Sequence, residues 1–228
     1  MAAADPCIAI CVVVDDRSEV SLMCSISLLR LQQAVLTAPE GRRFRSDIFF
    51  VRTLDEALNQ LRRHDAASGA LIVRGTMGFD PAFAIDAAAG DAPVAVAPYP
   101  LPVVDWDRVK TQPEGEPPAH WGNVYNVELQ RGPCRGGLVR ASKAELGVAW
   151  VAKSVVTDIV ARRPELVTAD GSRAALAVAG VYDGTYLAEH ERFLQLYGGD
   201  VWVDINHPAT SSGPTEFLGC VGHRSVLR

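Results

Sequence analysis

The chain has 228 residues, of which 48% are hydrophobic and 21% are charged, and its formal net charge at pH 7 is -5. This length and composition are typical of one large globular domain with a buried core. The acidic balance argues against nucleic acid as a partner, because binding a phosphate backbone needs a clustered positive field.

The cysteines and the first residues of the chain indicate a cytoplasmic protein. Five cysteines, an odd number without CxxC spacing, favour neither a disulfide framework nor a structural zinc site. The opening residues lack the basic segment of a signal peptide, and the apolar run that follows is far too short to cross a bilayer. We therefore expect a cytoplasmic chain without a membrane span.

The first half of the chain alternates predicted strands and helices. Continuous apolar runs predict strands over residues 7–14, 46–51, 69–73 and 92–97. Apolar residues at helical spacing predict helices over residues 19–36, 53–67 and 80–89, with Thr53 and Asp80 as N-caps. The alternation predicts an α/β fold with a mostly parallel, Rossmann-like central sheet flanked by helices.

The second half opens with a change in character. Six prolines interrupt residues 98–118, which predicts a functional loop layer because proline suits neither core helix nor central strand. Beyond it, the patterns predict strands at 124–129, 137–140, 174–181 and 201–203, and helices at 142–163 and 186–197. We expect residues 1–228 to form a single domain.

Three stretches, read in order, resemble glycosyltransferases of the A-type fold, the nucleotide-diphospho-sugar transferases. They are residues 71–83 (LIVRGTMGFDPAF), 94–109 (VAVAPYPLPVVDWDRV) and 197–219 (YGGDVWVDINHPATSSGPTEFLG). The resemblance implies the A-type glycosyltransferase architecture, with a nucleotide-binding half at residues 1–97 and an acceptor half at residues 98–228.

The chain departs from this family at its metal site. The family's Asp-x-Asp motif, which holds a divalent cation against the donor diphosphate, is replaced by Arg-Gly-Thr at residues 74–76. The nearest acid, Asp80, fits better as a helix cap. The family's late-loop histidine is replaced near residues 211–212, four residues after His207. The resemblance therefore implies that no metal or other cofactor binds, and that a nucleotide-sugar donor would bind without a cation.

A donor site is implied at the ends of the first strands. Its candidate residues are Asp15, Asp16, Arg52, Asp55, Arg74 and Thr76. Arg74 can contact a diphosphate bidentately in place of a cation, or it can pair with one of these aspartates in a site without ligand. Asp55 stands where the family has asparagine, and its charge would repel a diphosphate.

The catalytic and acceptor sites are implied further along the chain. Near the family's second acidic motif, the candidate catalytic residues are Asp183, Glu189 and His190. A helix cap for Asp183 and a solvated helix face for Glu189 are equally compatible with the pattern. The candidates for stacking on a sugar acceptor are Tyr99, Trp106 and Trp121, with anchoring of the long loop as the alternative.

Three functions follow from these residues. The first is a divergent glycosyltransferase that transfers a sugar from a nucleotide sugar without a divalent metal. The second is a catalytically inactive homologue that binds a nucleotide, a glycan or a protein partner, and a homo-oligomer is left open. The third, an unrelated α/β hydrolase-like enzyme, depends only on Cys134 in a glycine-rich loop and is weakly supported.

Overall fold

The fold is a large mixed β-sheet with helices on both faces, seen in a computed structural model that describes residues 6–14, 19–39, 43–111 and 122–211. Six α-helices lie within these ranges. None of the helices in the described ranges is long and apolar enough to cross a membrane. The protein is therefore an α/β protein in general terms, as the sequence predicts.

The first half of the chain follows the predicted alternation closely. Its strands are β1 (Cys7–Val13), β2 (Arg45–Val51), β3 (Ala67–Arg74), the short β4 (Met77–Gly78) and β5 (Val94–Val96). Its helices are α1 (Leu22–Thr37), α2 (Leu54–Arg63) and α3 (Pro81–Ala89). Thr53 and Asp80 cap α2 and α3 as predicted, because their side chains accept hydrogen bonds from the backbone N–H groups of Glu56 and Ala82.

The second half contains more strands than the sequence predicts. Its strands are β6 (Pro100–Val104), β7 (Asn123–Tyr125), β8 (Val127–Leu129), β9 (Leu138–Ala144), β10 (Val148–Ala152), β11 (Gly180–Tyr182), β12 (Thr185–Leu187), β13 (Trp202–Asp204) and β14 (Thr210–Ser211). Its helices are α4 (Trp106–Thr111), α5 (Lys153–Arg162) and α6 (Glu189–Tyr197), and a short 3-10 helix covers Pro164–Leu166.

The prediction of a mostly parallel sheet needs correction. Eight strands form the main sheet in the order β2-β1-β3-β10-β5-β13-β9-β8, which draws on both halves of the chain. The ladders β1·β2, β1·β3 and β5·β13 are parallel. The other four are antiparallel, because β10 is inserted against the direction of β3 and β5, and β9 against that of β13 and β8. The sheet is mixed rather than Rossmann-like.

The helix predicted over residues 142–163 was wrong in its first half. Those residues complete β9 and form β10, and the helix begins only at Lys153. A buried run such as Val148–Ala152 has no polar alternation, so its periodicity cannot distinguish a central strand from a buried helix. Trp150 in this strand lies directly against Gly69 of β3, where a Cβ atom would come within 2.3 Å of the indole. The bare glycine is what allows the indole to lie so close to β3.

Two apolar layers cover the sheet. On one face, α2, α5 and α6 contribute side chains such as Leu58, Ile159 and Phe193. On the other face, α1 and α3 contribute side chains such as Leu31 and Phe83. Each of these five residues is at most 1% exposed, which identifies the sheet and its two helical layers as the hydrophobic core.

Asp55, predicted to bind a donor, has a structural role instead. Its carboxylate is buried and accepts hydrogen bonds from the backbone N–H groups of Leu176 (2.8 Å) and Ala177 (3.0 Å). The neighbouring Asn59 side chain donates to the carbonyl of Ala174 and accepts from its N–H, both at 2.8 Å. These contacts fix residues 174–177, where a strand was predicted, as an irregular segment packed on α2.

Replacing Asp55 with alanine should therefore destabilise the fold. The change removes the acceptor of the buried Ala177 N–H and leaves the Leu176 N–H with only the Ala174 carbonyl, 3.0 Å away, so we expect the free energy of unfolding to decrease by about 2–4 kcal/mol. Asp55→Asn, which keeps one carbonyl oxygen, should lose less. Urea denaturation of the two variants provides the measurement, and Asp158→Ala on the exposed side of α5 is the control. Equal stability of Asp55→Ala and this control would contradict the structural role.

Candidate functional site

An open cleft lies at the C-terminal ends of β1 and β3. Its volume is about 300 Å³. The residues that line it come from the ends of the first three strands, the segment before α1 and the start of α6. They are Val13, Val14, Glu19, Arg52, Arg74, Gly75, Thr76 and Glu189. We call this the strand-end cleft. It brings together four residues that the sequence analysis selected, namely Arg52, Arg74, Thr76 and Glu189.

The parallel register of the first three strands builds the cleft. Val13, near the end of β1, pairs with Val51 of β2 on one side and with Arg74 of β3 on the other. The backbone N–H of Gly75 then donates a hydrogen bond of 2.7 Å to the Val13 carbonyl, which holds the residue that follows β3 against the end of β1. Arg52, which follows β2, and Arg74 therefore flank the end of β1 from opposite sides.

The two arginines are held differently. The backbone N–H of Arg52 donates to the Glu56 carboxylate at 2.8 Å, so the first turn of α2 fixes the position of Arg52. Arg74 is exposed. No carboxylate in the described part of the chain forms an ion pair with its guanidinium. Both side chains can therefore contact an anionic ligand in the cleft.

Glu189 lines the cleft while joining two helices. It is the first residue of α6, and its carboxylate Oε2 accepts a hydrogen bond of 3.0 Å from the backbone N–H of Leu54, the first residue of α2. The N-terminus of a helix stabilises a carboxylate through its free N–H groups and its dipole. Glu189 is therefore fixed in place, with only one oxygen engaged by this bond.

His190 lies next to the cleft in a half-buried, mixed electrostatic setting. Desolvation lowers the pKa of His190 below its usual value, Glu145 and Glu191 act to raise it, and Arg74 and Lys143 act to lower it. A neutral imidazole at this position is chemically able to accept a proton.

Asp183, also a candidate catalytic residue, does not line the cleft. It forms the tip of the β11–β12 hairpin with Gly184, and both residues adopt positive φ angles, 50° and 81°. An Asp-Gly pair in this conformation is typical of a tight hairpin turn. The side chain is exposed, and its conformation is explained by the turn alone.

The two predicted acceptor residues that the structure describes, Tyr99 and Trp106, do not form a common stacking surface. Tyr99 is 2% exposed and packs in the core, where its hydroxyl contacts the Glu145 carboxylate at 3.4 Å, so it is not available as a stacking surface. Burial raises its pKa, and Arg74 acts in the opposite direction. Trp106 is 67% exposed at the start of α4 and is absent from the cleft lining. Asp15, Asp16 and Trp121 lie outside the described residues.

A second cavity, which the sequence analysis did not identify, lies beside α3 and has a volume of about 370 Å³. It contains a buried aspartate, Asp204, whose carboxylate accepts hydrogen bonds from the Asn206 N–H at 2.9 Å and lies 2.8 Å from His207 Nδ1. An Asp-x-x-His spacing after a strand was the only sequence signal. Although this cavity is larger, we favour the strand-end cleft, because it collects Arg52, Arg74, Thr76 and Glu189, whereas none of the described candidate residues from the sequence lines the second cavity.

Comparison with known proteins assigns no family. No protein-family model and no curated protein matches the chain. Among solved structures, A197 from STIV is 12% identical with a TM-score of 0.49, over 92% of this chain and 86% of that one. HddC from Yersinia pseudotuberculosis is 7% identical with a TM-score of 0.40, over 90% of this chain and 93% of that one. Neither similarity bears on function.

The lowered pKa of His190 predicts how stability depends on pH. The unfolded chain, with a histidine pKa near 6.5, takes up this proton at a higher pH than the folded chain does. The free energy of unfolding should therefore fall as the pH decreases through 6.5, until His190 is protonated in the folded chain as well. His190→Gln should make this fall smaller.

Urea denaturation at a series of pH values compares the two proteins, and an NMR titration of the histidine ring protons measures the pKa directly. A His190 resonance that titrates above 6.5 would contradict the assigned direction.

Proposed function

We propose that this protein is a divergent, glycosyltransferase-like protein whose strand-end cleft binds a nucleotide-sugar donor without a divalent cation. The convergence of Arg52, Arg74 and Thr76 on one open cleft carries the proposal. Guanidinium groups bind phosphate oxygens through paired, charge-assisted hydrogen bonds, which is the task that a metal ion performs in the resembled family. The mixed α/β sheet is compatible with such a fold.

The other lining groups define which part of the donor each region would contact. Val13 and Val14 supply an apolar wall at the end of β1, suited to the flat face of a base or ribose. Arg52 and Arg74 flank that wall, so a diphosphate would lie between them. The halves at residues 1–97 and 98–228 would then serve donor and acceptor respectively, as the resemblance implies.

Glu189 is the group best placed to act as a base in such a reaction. It lines the cleft, whereas Asp183 does not, and its position is fixed by the Leu54 N–H. A carboxylate can take the proton of an acceptor hydroxyl as that oxygen attacks the anomeric carbon, while the nucleoside diphosphate leaves with the bonding electrons. The proposed transfer is therefore metal-independent, with Glu189 as general base.

A second candidate function is binding without transfer. The hydrogen bond from Leu54 to Glu189 favours it, because the bond gives this carboxylate a structural role in joining α6 to the start of α2. The protein would then use the same cleft to hold a nucleotide, a glycan or a protein partner. The two candidates differ in turnover but share the binding step.

Replacing Arg74 with alanine should weaken donor binding. Loss of a charge-assisted contact to the diphosphate should reduce the affinity about tenfold to a hundredfold. Isothermal titration calorimetry with a panel of nucleoside-diphosphate sugars, in EDTA and in Mn²⁺, gives the measurement. Arg30→Ala, which removes an exposed arginine from α1, is the matched control and should bind like the original protein.

Three results would overturn the binding proposal. They are no heat of binding with any member of the panel, binding that requires Mn²⁺, and equal loss of affinity in Arg74→Ala and Arg30→Ala.

Replacing Glu189 with glutamine separates transfer from binding. The amide oxygen still accepts the Leu54 hydrogen bond, so the fold and donor affinity should be kept, whereas a general base is lost. We expect release of nucleoside diphosphate in the presence of acceptor glycans to fall at least about a hundredfold. Unchanged turnover would exclude Glu189 as the base, and donor binding without any turnover in the original protein would favour the second candidate.

A further inference from the structure

A cysteine, an aspartate and a histidine meet at the edge of the sheet opposite the strand-end cleft. Cys7 is the first residue of β1, Asp47 lies in β2, and His64 follows the last residue of α2. Their ligand atoms, one from each side chain, all lie within 4.8 Å of one another. The Cys7 Sγ is 3.8 Å from Asp47 Oδ2, and His64 Nε2 is 2.7 Å from the same oxygen.

From this arrangement we infer a binding site for a zinc-like divalent transition-metal ion, with Cys7, Asp47 and His64 as its three protein ligands. Thiolate, imidazole and carboxylate are the donors that zinc uses in proteins. With a thiolate and a carboxylate as ligands, the centre carries no net charge, which suits its partly buried position. The site is independent of the proposed function, and no residue is shared with the strand-end cleft.

Two of the three distances between ligand atoms lie near those of four-coordinate zinc, and the third, between Cys7 Sγ and His64 Nε2, is within 4.8 Å. Tetrahedral zinc with ordinary bond lengths separates its sulfur, nitrogen and oxygen ligand atoms by about 3.3–3.7 Å. The sulfur–oxygen pair is already close to this spacing, whereas the imidazole and carboxylate must move apart by about 0.6 Å, exchanging a hydrogen bond for two metal bonds. The Asp47 side chain is 60% exposed, so it has room to move and leaves an open side for a water ligand.

The histidine is held in position by groups that are not ligands. Its backbone N–H donates to the Gln60 carbonyl at 3.0 Å, and its carbonyl accepts hydrogen bonds from the Ala67 N–H and from Lys153 Nζ. The Phe49 ring packs edge-on against the imidazole with centroids 5.8 Å apart. Such outer contacts keep a ligand ready in one orientation and reduce the cost of ordering it on binding.

Two cations lie near the cluster and do not oppose this assignment. Arg45 is close enough to act electrostatically on Cys7, and the Lys153 ammonium binds the carbonyls of His64 and Asp65. A centre without net charge is not repelled by them. In the absence of a metal, the same three side chains form a hydrogen-bonded cluster, and this is the arrangement that the experiment must distinguish from a metal site.

Cobalt(II) is the probe, because thiolate ligation gives a sulfur-to-cobalt charge-transfer band and tetrahedral geometry gives intense visible bands. Titration of the reduced, full-length protein with Co²⁺ should produce both, saturate at one ion per chain, and be reversed by Zn²⁺. Cys7→Ser should abolish the charge-transfer band. Cys134→Ser removes an exposed thiol elsewhere and should leave the band unchanged.

A thermal measurement provides a second readout that does not depend on colour. Zn²⁺ at about a hundred times its dissociation constant should raise the Tm by about 5–10 °C in the original protein and in Cys134→Ser. The shift should be lost in Cys7→Ser and in His64→Gln. Because each variant is compared with itself with and without zinc, a general loss of stability does not affect the result.

The absence of a cobalt charge-transfer band in the original protein would overturn the proposal. So would a band or zinc-dependent Tm shift that persists in Cys7→Ser, or one that disappears in Cys134→Ser, since any of these would place the metal elsewhere.

Discussion

The parallel register of β1, β2 and β3 is the constraint on which the rest of the structure depends. Because β1 pairs in parallel with both neighbours, the three strands end at one edge of the sheet and begin at the other. One edge therefore carries Arg52 and Arg74 on either side of β1. The opposite edge carries Cys7 and Asp47, with the end of α2 returning His64 to them. The two sites we propose are thus consequences of the same pairing.

The sequence predicts this first part well, because its signals are local. The strand at Cys7–Val13 is an uninterrupted apolar run, and α2 and α3 begin at residues whose side chains bind the first N–H groups of the helix. The second part fails where structure depends on distant partners. Val148–Ala152 forms a strand that pairs with β3 on one side and β5 on the other. These partners are distant in the sequence, so no short window of sequence contains the signal.

The candidate site shows the same limit at the level of single residues. Composition identifies polar and aromatic groups near strand ends, but it does not say which backbone groups they must satisfy. Asp55 does not line the cleft, because its carboxylate accepts hydrogen bonds from the backbone N–H groups of Leu176 and Ala177. Tyr99 is buried in the core. The ligands of the proposed metal site are separated by 40 and 17 residues, so they have none of the short spacing that identifies zinc motifs.

Charge in the strand-end cleft bears on whether an anion can bind without a metal. By formal charge, Arg52 and Arg74 are balanced by Glu19 and Glu189, so the cleft would not attract a diphosphate. The charge of Glu189, however, is directed at the Leu54 N–H and lies at the positive end of the α2 dipole, which weakens its field in the cleft. Desolvation acts against protonation of His190, so this side chain does not add a third positive charge beside the two arginines. The two guanidinium groups then provide the dominant local field, and the Asp-x-Asp position, with arginine in place of the first carboxylate, would exclude a divalent cation by repulsion.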